Sequence, residues 1–194
     1  QMEIDYCVEP GIQIKRSQGM TRGKNDKIDA RRIADYAYTN KAKLKTFSMP
    51  STLIIQVKQL LTYREQTIRI RTSLKNSLKS HLQYQKVSGL KKITEQINNQ
   101  IEQQDKLVDD IEKQIKELIK SDPQMKKNFE MATSVKGIGL VIGAFMLVTT
   151  NNFTSFENGR KYACYAGIAT FENTSGTSIK GNTKISHFGN KPIK

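Results

Sequence analysis

The run ITEQINNQIEQQDKLVDDIEKQIKELIK, residues 93–120, decides the architecture. Ile97, Ile101, Val108, Ile111, Ile115 and Leu118 recur at spacings of three, four and seven, with Gln104 filling one seam position. A helix patterned in this way needs a facing helix to cover its apolar seam. Residues 53–85 supply a second long helical pattern, and Val87-Ser88-Gly89 separates it from the one that begins at residue 90. The pair reads as a coiled-coil hairpin, each arm extending roughly 45–50 Å at ~1.5 Å per residue.

The first arm carries an anomaly. Val57, Arg64, Arg71 and Leu78 recur every seven residues, so two arginines share a stripe with apolar side chains, a costly position unless compensated. They could lay their stems on apolar neighbours and pair with Glu102, Asp105, Asp109, Asp110 or Glu112 of the second arm. Alternatively, part of the stripe, with Lys75 and Lys79 beside it, faces a phosphate backbone.

Outward from the arms the character changes on both sides. Ser121-Asp122-Pro123 stops the second arm, and Val135-Lys136-Gly137-Ile138-Gly139 then opens into the apolar run 140–148, read as a turn leading into a buried helix. Backbone N–H groups at such a start, with Lys136, Gly137 and Gly139 in the turn, can bind phosphate as helix-hairpin-helix proteins do; the same glycines could instead serve only close helix packing. On the other side, residues 40–51 form a basic linker without periodicity, which marks a domain boundary. Before it, residues 26–39 read as a short amphipathic helix with Ile28, Ile33, Ala34 and Ala37 on one side. Residues 6–17 are mixed: Val8, Ile12 and Ile14 could belong to a strand, broken by Pro10 and Gly11.

The 194 residues have a formal net charge of +14, from 32 Lys and Arg against 18 Asp and Glu, and a hydrophobic content of 37%, compatible with folding. This balance points to a polyanionic partner, with nucleic acid first. From residue 171 onward Lys180, Lys184, Lys191 and Lys194 face a single acid, Glu172, making the tail a cationic strip. No run reaches the roughly 18 apolar residues of a membrane helix, and the N-terminus lacks the pattern of a secretory signal. Cys7 and Cys164 lie far apart outside any CxxC, which suggests neither a disulfide framework nor a zinc knuckle and fits a reducing cytosol.

Two places could carry chemistry. Asp26 and Asp29 open the helix of residues 26–39, where Asp26 could cap it and Asp29 complete a capping-box-like arrangement. The same pair could supply hard oxygen ligands to Mg²⁺ beside a phosphate. The segment SGTSIKGNTKISHFGNK, residues 175–191, places Ser175, Ser178, Ser186 and His187 among glycines and lysines; serine there can be simple loop chemistry, and no Ser-His-Asp triad is visible.

Taken together, these blocks resemble the transposases of the insertion-sequence 110/1111 type, which include pilin-gene invertases. RGKNDKIDARRIADYA (22–37) is similar to the end of the family's N-terminal DEDD domain, with Asp26 and Asp29 matching its last two metal-binding acids in D-x-x-D-A. LLTYREQTIRIRTSLKNSLKSHL (60–82) is similar to its long linking helix. VKGIGLVIGAFMLVT (135–149), FENGRKYACYAGIAT (156–170) and the 175–191 segment resemble successive blocks of its C-terminal domain, whose nucleophilic serine corresponds to Ser175. Lys136 stands where the family's pattern has a proline.

The resemblance implies a mixed α/β and α fold: a partial RuvC-like (ribonuclease-H-type) domain with its linker at 1–50, the coiled-coil hairpin at 51–122, and a small, mainly helical C-terminal domain at 123–194. It also implies a DNA transposase or recombinase of the bacterial cytoplasm, associated with the nucleoid. It would use Mg²⁺ and Ser175, pair with a structured guide RNA, and act as a homo-oligomer, dimer or tetramer, whose acidic site and serine come from different protomers. The family's first Asp and its Glu are expected before residue 1, and further helices after residue 194, so the chain reads as an internal fragment inactive by itself. The contacts to nucleic acid are expected from Arg64, Arg71, Lys75, Lys79, Lys136, Gly137, Gly139, Lys180, Lys184 and Lys191. Two other functions compete with this reading: a noncatalytic nucleic-acid-binding or dimerisation module, and a metal-dependent nuclease of junction-resolvase type.

Overall fold

The computed structural model describes residues 6–19, 23, 25–84, 90–175, 179–185 and 189. The chain divides into two compact units, residues 1–49 and 50–194.

In the first unit, α1 (Gly11–Ser17) packs on α2 (Asp26–Thr39). The stretch expected to be a strand is therefore a helix from Gly11 on. Pro10 is its N-cap residue, and its carbonyl accepts from the N–H of Gln13 at 2.8 Å; the proline begins the helix instead of breaking a strand. Gln13 Nε2 donates to the Tyr36 hydroxyl at 3.0 Å and Gln18 Nε2 to the Arg32 carbonyl at 2.9 Å. Tyr36 is the buried residue of α2. The apolar side expected to be covered is open, with Ile33 54% exposed and Ala34 and Ala37 exposed beside it. Tyr6 and Phe47 stack with ring centroids 5.3 Å apart, and the Phe47 N–H donates to the Tyr6 carbonyl at 2.8 Å.

The second unit is built on α3 (Thr52–Gln83) and α4 (Leu90–Ser121), which pack along one another. The ion pairs Arg64–Glu112 and Arg71–Asp105 advance along one helix as they retreat along the other, so the two are antiparallel. Ser51 caps α3 through its hydroxyl on the Ile54 N–H. The α4 seam is buried at Ile97, Ile101, Val108, Ile111, Ile115 and Ile119. Asp122 ends that helix by capping the next: its carboxylate accepts from the Met125 N–H at 2.6 Å, and Pro123 occupies the first turn of α5 (Pro123–Thr133). A tight turn leads to α6 (Leu140–Thr149). Ile54, Val57 and Leu61 of α3, Ile111, Ile115 and Ile119 of α4, Met125 of α5, and Ala144 and Leu147 of α6 form one core. Helices α5 and α6 thus share their interior with the base of the helix pair.

Helix α7 (Gly159–Ala166) follows, capped by Asn158 at its start and closed by Gly167 at φ +73°. Strands β1 (Thr170–Ser175) and β2 (Ile179–Ile185) form an antiparallel hairpin. This part was expected to be loop. Its register pairs Thr170 with Ile185 and Ser175 with Ile179, with an irregularity between Phe171 and Asn173 where β2 carries one extra residue. Among the described residues, no helix is long and apolar enough to cross a membrane.

Candidate nucleic-acid interface and acidic pair

The acidic pair lies in the first unit, on the opening turn of α2. Its cap is Asn25, not Asp26 as expected: the Asn25 side-chain oxygen accepts from the Ile28 N–H at 2.8 Å. The helix starts one residue earlier than a capping role for Asp26 requires, which places Asp26 and Asp29 as neighbours one turn apart. The positive end of the helix favours carboxylates there whether or not a metal is bound. Asp29 Oδ1 accepts from Arg32 Nη1 at 3.1 Å. Asp29 and Arg32 line an open groove of about 590 Å³ with Ile14, Lys15, Gln18 and Ile33; Asp26 does not line it. Among the described residues, no group of three His, Cys, Asp or Glu side chains could hold a metal. Mg²⁺ requires near-octahedral oxygen coordination, which two aspartates alone do not supply.

The remaining candidates lie in the second unit. Arg64 and Arg71 brace the helix pair. Arg64 Nε and Nη2 both reach Glu112 Oε1, at 2.8 and 2.7 Å, and Arg71 Nη1 reaches Asp105 Oδ1 at 2.7 Å. Between them Thr67 is buried and donates its hydroxyl to the Tyr63 carbonyl, so the middle of the seam is polar yet satisfied. Lys75 and Lys79 stand exposed on α3, with no ion-pair partner among the described residues.

The turn between α5 and α6 separates the roles of three glycines. Gly143 is the packing glycine: a Cβ there would sit 2.8 Å from Phe129 Cε2 and 3.0 Å from Thr133 Cγ2. Gly137 adopts φ +97°, which side chains disfavour, and a Cβ at Gly137 or Gly139 would meet nothing within 4 Å. Packing therefore explains Gly143 alone. Gly139 is the N-cap of α6 and offers no side chain to it, so the first N–H groups of this ten-residue helix open beside the exposed Lys136.

Ser175 is the last residue of β1, next to the three-residue connection to β2; Lys180 and Lys184 stand on β2, opposite Thr174 and Phe171. Lys191, Ser178, Ser186 and His187 lie outside the described residues. Sequence reading missed an aromatic cluster after α6, in which the rings of Phe156, Tyr162 and Tyr165 lie 5.3 to 6.3 Å apart. The Tyr162 hydroxyl is 3.1 Å from Thr149 Oγ1. Burial pushes the Tyr162 phenol above its ordinary pKa; the Thr149 hydrogen bond opposes this, and Tyr165 adds to it.

Residues 1–86 match the DEDD-type IS110 family model, described as transposase, and residues 130–194 match that of the transposase IS116/IS110/IS902 family. Over 84 residues the chain is 36% identical to the insertion element IS110 uncharacterized 43.6 kDa protein of Streptomyces coelicolor, covering 43% of this chain and 20% of that protein. It is 29% identical over 84 residues to the pilin gene-inverting proteins of Moraxella bovis and Moraxella lacunata, covering 43% of this chain and 26% of each. The aligned part thus spans about a fifth to a quarter of the curated relatives it matches.

Proposed function

Because the chain belongs to the IS110-type transposase family, we propose that it is part of a DNA recombinase that moves an insertion element and uses Ser175 as its nucleophile. The supporting observation is the placement of the two family matches. One covers residues 1–86, with Asp26 and Asp29, and the other covers 130–194, with Ser175. Residues 1–49 are then the end of a RuvC-like domain, in which Asp26 and Asp29 contribute two of the oxygen ligands to a divalent metal, Mg²⁺. Arg64 and Arg71 brace a coiled-coil arm that presents Lys75 and Lys79. Lys136, with Gly137, Gly139 and the N–H groups at the start of α6, and Lys180, Lys184 and Lys191 contact phosphates of DNA or of a structured guide RNA. The working form is a homo-oligomer in the bacterial cytoplasm, bound to the nucleoid.

In the chemical step, Ser175 Oγ loses its proton and bonds to a DNA phosphorus. The bond from that phosphorus to one strand's sugar oxygen breaks, and the released oxygen takes up a proton. In a protein carrying the whole transposase, Ser175→Ala is expected to lower strand exchange by at least about 100-fold while DNA binding persists. Trapping of a covalent protein–DNA adduct by the parent and not by the variant completes the test. Full exchange by Ser175→Ala sinks the serine assignment, and metal-dependent cutting without an adduct favours a nuclease. Asp26→Asn and Asp29→Asn test the acids cleanly, since the cap belongs to Asn25 and stays in place.

A further inference from the structure

The β1–β2 hairpin contributes no residue to the core of the second unit. Among the described residues, no Cα of the hairpin lies within 8 Å of a helix Cα. Phe171 and Ile185 are 50% and 45% exposed, and Gly181, Asn182 and Thr183 are exposed. An arm of this kind swings unless its base is fixed.

A contact between two glycines lies at that base. Gly167 ends α7 at φ +73°, and the N–H groups of Ile168 and Ala169 just after it both donate to the Ala163 carbonyl, at 3.0 and 3.2 Å. Gly167 is therefore held to α7, which the Tyr162 hydroxyl ties to Thr149 of α6 at 3.1 Å, and Ala166 before it is fully buried. Gly189 lies against it. A Cβ at Gly189 would sit 2.3 Å from Gly167 Cα, 2.6 Å from the Ala166 carbonyl oxygen and 2.7 Å from the Gly167 nitrogen. All three are backbone atoms, so no side chain can turn aside to admit even a methyl group. Gly167 comes three residues before β1 and Gly189 four after β2, so the contact joins the two outer ends of the hairpin.

We propose that the Gly167–Gly189 contact is a clamp that aims the β1–β2 hairpin and thereby positions Ser175 at the end of β1 remote from it. The role rests on the reading of Ser175 as nucleophile; the clamp itself does not. Gly189 is a positioning residue. An alanine there must open the contact by roughly 1.2–1.7 Å to reach ordinary van der Waals distance. Ser175 lies a six-residue strand away, about 20 Å, so a tilt at the base reaches the serine at full amplitude. A misplacement of about 1 Å at a reacting atom costs on the order of 100-fold.

The clamp is tested first on this chain, with Cys7 and Cys164 replaced by serine and nitroxide labels on Gln114→Cys in α4 and Thr183→Cys in β2. Double electron–electron resonance is expected to give one narrow distance with Gly189 and a broadened or shifted one with Gly189→Ala. Identical distributions overturn the clamp, as does a broad distribution in the glycine protein, which decides the matter even if the alanine variant fails to fold. In the whole transposase, Gly189→Ala is expected to lower adduct formation about 100-fold in rate while DNA affinity stays within about twofold. Gly159→Ala, whose Cβ meets nothing within 4 Å, should change neither. A broadened hairpin with undiminished adduct formation refutes the positioning role. If Ser175→Ala remains active, the nucleophile reading has failed, and the resonance distances still judge the clamp.

Discussion

Replacing Arg64 by methionine separates the two roles open to the arm's arginines. The Arg64 and Glu112 side chains are 20% and 28% exposed, those of Arg71 and Asp105 28% and 46%. Exposed pairs couple by about 0.2–1 kcal/mol, whereas breaking a fully buried pair costs about 3–5 kcal/mol. The Arg64 pair lies between these limits, and a single carboxylate oxygen receives two nitrogens. We expect Arg64→Met to destabilise by about 1–2 kcal/mol, because Glu112 loses its partner yet keeps some water. The double variant Arg64→Met/Glu112→Leu should recover most of that loss, since an apolar pair suits the seam. Arg71→Met should cost less, about 0.5 kcal/mol, because Asp105 is nearly half exposed. Urea unfolding of the four members of the cycle measures the coupling. In parallel, the dependence of DNA binding on salt should keep its slope in Arg64→Met. A slope reduced by about 1 would make the arginine a phosphate contact, and a double variant no more stable than the single would refute the bracing energetics.

Gly143→Ala should destabilise the second unit by about 1–3 kcal/mol, because its methyl group meets the Phe129 ring and the Thr133 methyl; thermal unfolding checks this, and an unchanged midpoint contradicts the packing. For Tyr162 the folded protein holds the phenolic proton more tightly than the unfolded chain, so its contribution to stability is full below the unfolded pKa, about 10, and is lost as pH rises above it. Urea titrations from pH 9 to 11 should show that decline, and Tyr162→Phe should flatten it.

The helix pair was legible because its signal is redundant: many apolar positions between 97 and 118 agree on one period, so a single polar residue such as Gln104 cannot disguise it. The pairing of Arg64 and Arg71 with acids of the second arm was legible for the same reason, since facing helices admit few registers. The cap of α2 was not, because Asn25 and Asp26 are both good caps and sequence alone does not choose between them. The chain enters that helix through Gly23 at φ +89°, a conformation visible only in three dimensions. The β-hairpin was hidden by its composition. Ile179, Gly181, Thr183 and Ile185 alternate with Lys180, Asn182 and Lys184, a period of two that glycine and lysine made resemble a loop. On α2 the stripe of Ile33, Ala34 and Ala37 was correctly seen as a face, but a sequence does not state what covers one.

The charge of the chain acquires a location once the arms are seen as a pair. Helix α3 has six Lys and Arg against Glu65 alone, a net of +5, and α4 has six lysines against seven acids, a net of −1. Two of the six cations of α3, Arg64 and Arg71, turn inward onto acids of α4, and Arg69 pairs with Glu65 on its own helix. That leaves Lys58, Lys75 and Lys79, exposed and without ion-pair partners among the described residues. The acids of α4 therefore hold the arm together by consuming the cations nearest the seam, and what remains for a polyanion is carried by lysine. Lysine acts as a mobile point charge without the bidentate geometry of arginine. A surface of that kind follows a phosphate backbone without reading its sequence, so any choice of target by this protein has to be made elsewhere than on the arm.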